Sequence, residues 1–142
     1  MKEEERKKIL QQKLIELQLL EQHMNEIYQQ LQILTQKSQE LENLSESLSY
    51  LKDLKDKKES YSQLGSGIFL KTELKETESV LMDVGASIAV KKPVGEAKEI
   101  LEIQLKEISN SIKMLEQQLQ KAAVQAYSHQ EELQKIQSTS QK

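Results

Sequence analysis

A chain of 142 residues with only 4% aromatic content and no Trp can fill one domain but not a large globular core. Charged residues make up 30% of it, and Gln, Glu, Lys, Leu and Ser far outnumber its four Gly and single Pro, the composition of long solvated helices. A formal net charge of −3 leaves no basic field to gather phosphates, which argues against nucleic acid as a partner.

From Leu10 onward the apolar residues fall at alternating steps of three and four: Leu17, Leu20, Met24, Ile27, Leu31 and Leu34, then Leu41 and Leu48. This is a heptad seam, and it predicts a helix over 5–59. At Ser38 and Ser45 the second column turns polar while Leu44 and Leu51 stand one place away, so the stripe is expected to drift there, with local unwinding of the supercoil. Lys52, Lys55, Lys57 and Lys58 are expected to crowd the last turns, where cations suit the helix dipole, and the helix to end near Glu59.

Residues 60–93 hold three of the four Gly, the only Phe and the only Pro. Ile68, Leu70, Thr72 and Leu74 alternate with Phe69, Lys71 and Glu73 after Gly65-Ser66-Gly67, and Val80, Met82 and Val84 precede a second turn at Gly85, followed by Ile88 and Val90. Period-two alternation around Gly-containing turns predicts four short strands in two hairpins, with Tyr61–Leu64 pairing before the first turn.

Pro93 opens a second helix, expected over 94–138, with Glu96 and Glu99 in its first turns. Leu101, Leu105, Ile108, Ile112, Leu115, Leu119, Ala122, Ala126, His129, Leu133 and Ile136 continue its seam, broken only by His129. The fold class is therefore α+β: a long antiparallel coiled-coil helical hairpin with two short β-hairpins between its helices. Leu48 is expected near Leu101 and Leu17 near Leu133, in a rod of about 65–70 Å at ~1.5 Å per residue.

A two-stranded rod has no concave pocket in which catalytic groups converge, so no enzyme activity is expected, and no cofactor. His23 and His129 are expected to approach one another, but two imidazoles without placed carboxylates are read as solvated or seam residues, with no metal site. Gly65-Ser66-Gly67 lacks the Lys-Ser/Thr ending of a phosphate loop. No stretch approaches the roughly 18 apolar residues of a membrane span, and Met1–Lys8 carries no apolar signal core. With no Cys, the expectation is a cytoplasmic protein. The charge clusters at 3–8 and 52–58 are read as solvated faces.

One place carries more apolar side chains than a single seam can bury. Ile9, Leu10, Leu14, Ile15, Leu17, Leu19 and Leu20 crowd one end of the first helix, with Tyr127 beside them on the second. Either the helix ends pack into a wider local bundle or these residues form an exposed apolar grip. As a grip, the expected client-binding set is Ile9, Leu10, Leu14, Ile15, Leu19, Tyr127, Leu133 and Ile136. The expected subunit-assembly set is Ile68, Phe69, Leu70, Leu74, Val80, Met82, Val84, Ile88 and Val90, because isolated hairpins are marginal and their edges need partners.

Helix, two hairpins, helix in 142 residues resembles the prefoldin family, in its α class with two hairpins per subunit. The stretches that carry the resemblance are Leu64-Gly65-Ser66-Gly67-Ile68-Phe69-Leu70-Lys71, Val80-Leu81-Met82-Asp83-Val84-Gly85 and Ser87-Ile88-Ala89-Val90-Lys91-Lys92. The resemblance spans the chain, but its specific part is 64–92, since heptads fit any coiled coil. Gly95 departs from the helix-favouring residue usual at that place. What the resemblance implies is a hexamer of two α-type and four β-class subunits that captures unfolded polypeptides at its coiled-coil tips without ATP and delivers them to a group II chaperonin. The alternative is a structural scaffold or filament of the same architecture. An RNA-gripping helical arm ranks last, because the helices are nearly charge-balanced.

Overall fold

In the computed structural model, which describes residues 2–54 and 59–139, the element order is helix, hairpin, hairpin, helix. Helix α1 spans Glu3–Tyr50. No Gly or Pro interrupts it, and Glu3, Glu4 and Glu5 place negative charge on its positive end. It passes into a 3₁₀ turn at Leu51–Leu54. The expected end near Glu59 is corrected: Glu59 is the first residue of a strand. Lys55, Lys57 and Lys58, and the side chain of Lys52, lie outside the described residues.

Strands β1 (Glu59–Gly65) and β2 (Ile68–Glu73) form one antiparallel hairpin, and β3 (Ser79–Gly85) and β4 (Ile88–Pro93) form another. Helix α2 follows over Val94–Thr139. Pro93 is the last residue of the β4 ladder rather than the first of the helix, and the Val94 amide donates to the Glu78 carbonyl at 2.9 Å. The ladder thus hands the chain directly to α2. Among the described residues no helix is long and apolar enough to cross a membrane.

The backbone separates into two units, residues 1–36 with 109–142 and residues 37–108. In the second unit Leu41, Leu48, Val94, Ala97 and Leu101 are buried together, with Leu51, Val80, Met82, Leu105 and Ile108 packed around them. Leu48 and Leu101 share this cluster, as the seam pairing requires. In the first unit Ile27, Ala122 and Leu133 are buried. There the Lys13 ammonium pairs with Glu132 and His129 faces Glu16, which sets Leu133 at the level of Lys13, about one turn from the expected Leu17.

The expected drift of the α1 seam does not occur. Leu34, Ser38, Leu41, Ser45 and Leu48 are all at least half-buried, so the strict heptad continues through the two serines, while Leu44 is 47% exposed. A small hydroxyl side chain fits between two close helices without diverting them, and its oxygen can accept or donate locally. The serines keep the column; the leucine is the outlier.

The two hairpins are the same object twice. Every ladder pair of the first recurs 20 residues later in the second: Glu59↔Glu73 becomes Ser79↔Pro93, Ser62↔Leu70 becomes Met82↔Val90, and Gly65↔Ile68 becomes Gly85↔Ile88, with the same irregularity before the glycine. Their turns differ in strain. Gly67 takes the left-handed position of the first turn at φ +72°, whereas the second uses Ala86 and Ser87 at φ +53° and +61°. Side chains there crowd the backbone at roughly 1–2 kcal/mol per residue, and glycine does not.

Two stability outcomes follow. Ser87→Gly, which gives the second turn what Gly67 gives the first, should stabilise the chain by about 1 kcal/mol in urea unfolding; a destabilised variant would refute the turn assignment. Leu48→Ala should cost about 2–5 kcal/mol, whereas Leu44→Ala should stay within about 0.5 kcal/mol. Comparable losses at the two positions would restore the drifting seam.

Candidate functional site

Opposed residues in a ladder share a face, so the register sorts each hairpin into two surfaces. On the first hairpin Ser60, Ser62, Ile68, Leu70 and Thr72 share one face; on the second Val80, Met82, Ile88, Val90 and Lys92 do. The expected assembly residues divide into two groups. Ile68, Phe69, Leu70, Val84, Ile88 and Val90 are exposed, and Ile68 is 61% accessible. Val80, Met82 and Leu74 are half-buried, and the first two pack against the chain's own core. Leu64 and Leu81 are each 72% exposed and were not singled out from the alternation; Leu81, opposite Lys91, lies on the other face of its hairpin from Met82 and Val90.

The polar groups of this segment tie it locally. The Ser62 and Thr72 hydroxyls meet at 3.0 Å, Thr72 Oγ1 donates to the Ser60 carbonyl at 3.2 Å, and Lys71 reaches Glu59 at 3.3 Å. In the connection between hairpins, Glu76 accepts from the Ser79 hydroxyl at 2.6 Å and pairs with Lys91 at 3.0 Å. The Ser79 hydrogen bond first, then Lys91, holds the Glu76 carboxyl below its ordinary value of 4.5.

In the other unit, the crowded end of α1 presents Ile9, Leu14, Ile15 and Leu19 to solvent, with Leu19 60% exposed. Ile15 and Leu19, four residues apart, lie side by side opposite the seam, whereas Leu14 and Ile9 flank it on either side. Tyr127 on α2 is exposed. The remaining expected client residues are placed differently: Leu133 is buried, and Leu10 and Ile136 are half-buried in the seam. Arg6 donates to the Ile136 carbonyl, and to Thr139 Oγ1 at 2.9 Å. With Ile9, these residues line a shallow cleft.

The expected approach of His23 to His129 is corrected. His129 Nδ1 lies 3.8 Å from Glu16, and His23, seven residues further along α1, is exposed. Among the described residues no group of three His, Cys, Asp or Glu side chains converges.

Comparison with known proteins agrees with this geometry. The family model for prefoldin subunits matches residues 20–139. No curated protein sequence matches the chain. Among solved structures it is similar to a filamentous PFD from Methanocaldococcus jannaschii determined by cryo-EM, at 18% identity over 81% of this chain and 95% of that one, with a TM-score of 0.72. That likeness establishes the fold: two long helices with two antiparallel β-hairpins between them.

The Glu76 strap carries a pH signature. A carboxyl whose folded value is depressed contributes at neutral pH and loses that contribution as pH falls below 4.5 toward the folded value. In an NMR titration Glu76 should show a midpoint under 4.5 that rises on Ser79→Ala and on Lys91→Met. A midpoint at or above 4.5 in the parent chain would remove the strap.

Proposed function

The chain belongs to the prefoldin family, whose subunits are non-enzymatic and assemble with one another, and from that premise we propose that it is an ATP-independent chaperone subunit that binds unfolded polypeptides at one end of its helical pair. The observation that carries this reading is the surplus of exposed aliphatic side chains at Ile9, Leu14, Ile15 and Leu19, which no seam of two helices covers. Each such side chain contributes only the roughly 25 cal/mol per Å² of apolar burial, so a single contact is weak and several subunits acting on one client are needed to hold it. Leu10, Leu133 and Ile136 support the helix pair beneath this surface rather than lining it.

The rest of the reading extends the family's oligomeric habit. The α-class assignment, a hexamer of two such subunits with four β-class subunits, delivery of clients to a group II chaperonin and a cytoplasmic setting all belong to this proposal. The two hairpins support it, because their exposed Ile68, Phe69, Leu70, Val84, Ile88 and Val90 are the surface a mixed assembly would bury. A second reading, a structural scaffold, is favoured by one observation: the similar solved structure is filamentous. The mass of the purified assembly separates the two, since a hexamer has a single mass and a filament does not.

The chaperone reading is tested with denatured client protein and no nucleotide. Replacing Ile9, Leu14, Ile15 and Leu19 together by Ser should reduce protection against aggregation by roughly tenfold or more while helicity and assembly mass stay unchanged. Full protection by that variant would take these residues out of the mechanism. Loss of helicity in proportion to lost protection would assign them to packing instead.

A further inference from the structure

Away from the seam, charged and apolar residues recur at heptad spacing on one flank of the helix pair. On α1 Leu19, Glu26 and Ile33 stand seven residues apart, and on α2 Met114 and Lys121 do, so each set forms a line along its helix. The lines lie three residues round from those through Glu16 and Glu132, whose contacts with His129 and Lys13 cross the seam on that flank. All five residues are exposed, Ile33 at 66% and Met114 at 62%. Among the described residues neither Glu26 nor Lys121 enters an ion pair. The pairing fixes their levels. Glu16 is level with His129, so Glu26, ten residues on, is level with Leu119, and Ile33, seven further, with Ile112. Lys121 stands two residues from Leu119 and Met114 two from Ile112, an equal offset of about 3 Å in the same direction. A helical side chain leans toward its own N-terminus, so across an antiparallel boundary Glu26 leans toward the level of Lys121 and Lys121 toward that of Glu26.

Two copies laid flank to flank, with their helices pointing the same way, bring α1 of each beside α2 of the other, antiparallel and at equal level. Glu26 then meets Lys121 and Ile33 meets Met114, and a two-fold axis makes both contacts twice. A slip of one heptad either way sets Glu26 against Ser128 or Met114 and Ile33 against Lys121 or Glu107, so charge and hydropathy select a single register. Between the lines the flank carries His23, Gln30, Ser111, Gln118 and Gln125, with no carboxylate or ammonium group to be forced against its like. Leu19, next along its line, falls opposite Ser128, gains no apolar partner and stays with the client surface. We propose that this chain packs that flank against the same flank of a second copy, Glu26 on Lys121 and Ile33 on Met114. The proposal rests on the oligomeric reading above and concerns the helices rather than the hairpins. Exposed ion pairs and single apolar contacts are weak alone, so the packing forms once the two chains are tethered in one assembly. It sets two client-binding ends level and adjacent, as capture by several subunits requires.

The absence of Cys makes the test direct. Full-length Ile33→Cys and Met114→Cys chains, expressed together with different affinity tags and oxidised mildly in the purified assembly, should form the 33–114 disulfide between copies well above the 33–33 and 114–114 products. Gln29→Cys with Gln117→Cys, close in level but on the backs of the helices, should link at least tenfold less. Placing Glu26→Lys in both Cys chains should cut the 33–114 link at least threefold, and adding Lys121→Glu should restore it, with helicity and assembly mass unchanged throughout. An assembly without a preferential 33–114 link, a link indifferent to Glu26→Lys, or a loss that Lys121→Glu does not restore overturns the inference and leaves the oligomeric reading standing. A chain that is monomeric when purified from its own cells overturns both.

Discussion

Where the strand ladder ends and α2 begins, one backbone hydrogen bond and two side chains determine what the flanking segments do. The Val94 amide is the first free donor of α2, and a helix leaves its first amides without internal partners. The Glu78 carbonyl takes this one. The bond fixes the direction in which α2 departs from β4, and it places Val80 and Met82 on the cluster formed by Leu41, Leu48, Val94, Ala97 and Leu101. A helix that begins at a fixed point, in a fixed direction, with its first buried residues already in contact with α1, has little freedom left in choosing its register. Leu105 and Ile108, packed around the same cluster, continue the pairing that the junction has set.

Apolar side chains in this protein fall into two economies. The seam positions bury theirs within the chain, and the buried residues Ile27, Leu41, Leu48, Leu101, Ala122 and Leu133 all belong to it. The positions outside the seam have nothing opposite them, and a chain with one Phe and no Trp has no third layer to cover them. Many such residues lie at the two hairpins and at the crowded end of α1, where a prefoldin-type subunit is proposed to meet other chains, and others, such as Ile33, Ile103, Met114 and Val124, stand singly along the helices. Polar and ionic contacts near them, such as Lys13 with Glu132 and Lys71 with Glu59, lie at partly or largely exposed sites and contribute well under about 1 kcal/mol each.

Heptad spacing made both helices legible, because periodicity over many turns leaves few alternatives. The same rule misled at Leu44, where an aliphatic residue looked like a better seam member than Ser45. Hydropathy ranks residues by chemistry, and a tight interhelical position also selects for size. The end of α1 was read too late because the lysine run resembled a helix terminus; nothing in 51–54 other than tighter winding marks the change. Strand alternation located all four strands to within a few residues. It could not separate Val80 and Met82, which face the chain's own core, from Ile88 and Val90, which do not, since all four occupy the same phase of the pleat. The repeat was visible in Leu64-Gly65, Ile68 and Leu70-Lys71 against Val84-Gly85, Ile88 and Val90-Lys91, but only as a spacing between hairpins, which a reading along each strand does not sample.

Repeated modules within one chain experience different selection at the positions where their surroundings differ. Around the turns of the two hairpins the surroundings are alike, and glycine, isoleucine and lysine recur at matching places. Under the second hairpin lies a core that rewards aliphatic side chains, whereas the matching positions of the first, Ser60 and Ser62, add nothing to that core. Positions 80 and 82 thus call for residues that fill the core, a demand that positions 60 and 62 do not share. In comparing related chains, the identity of those two pairs should show which hairpin of each is anchored, even where the turns have become indistinguishable.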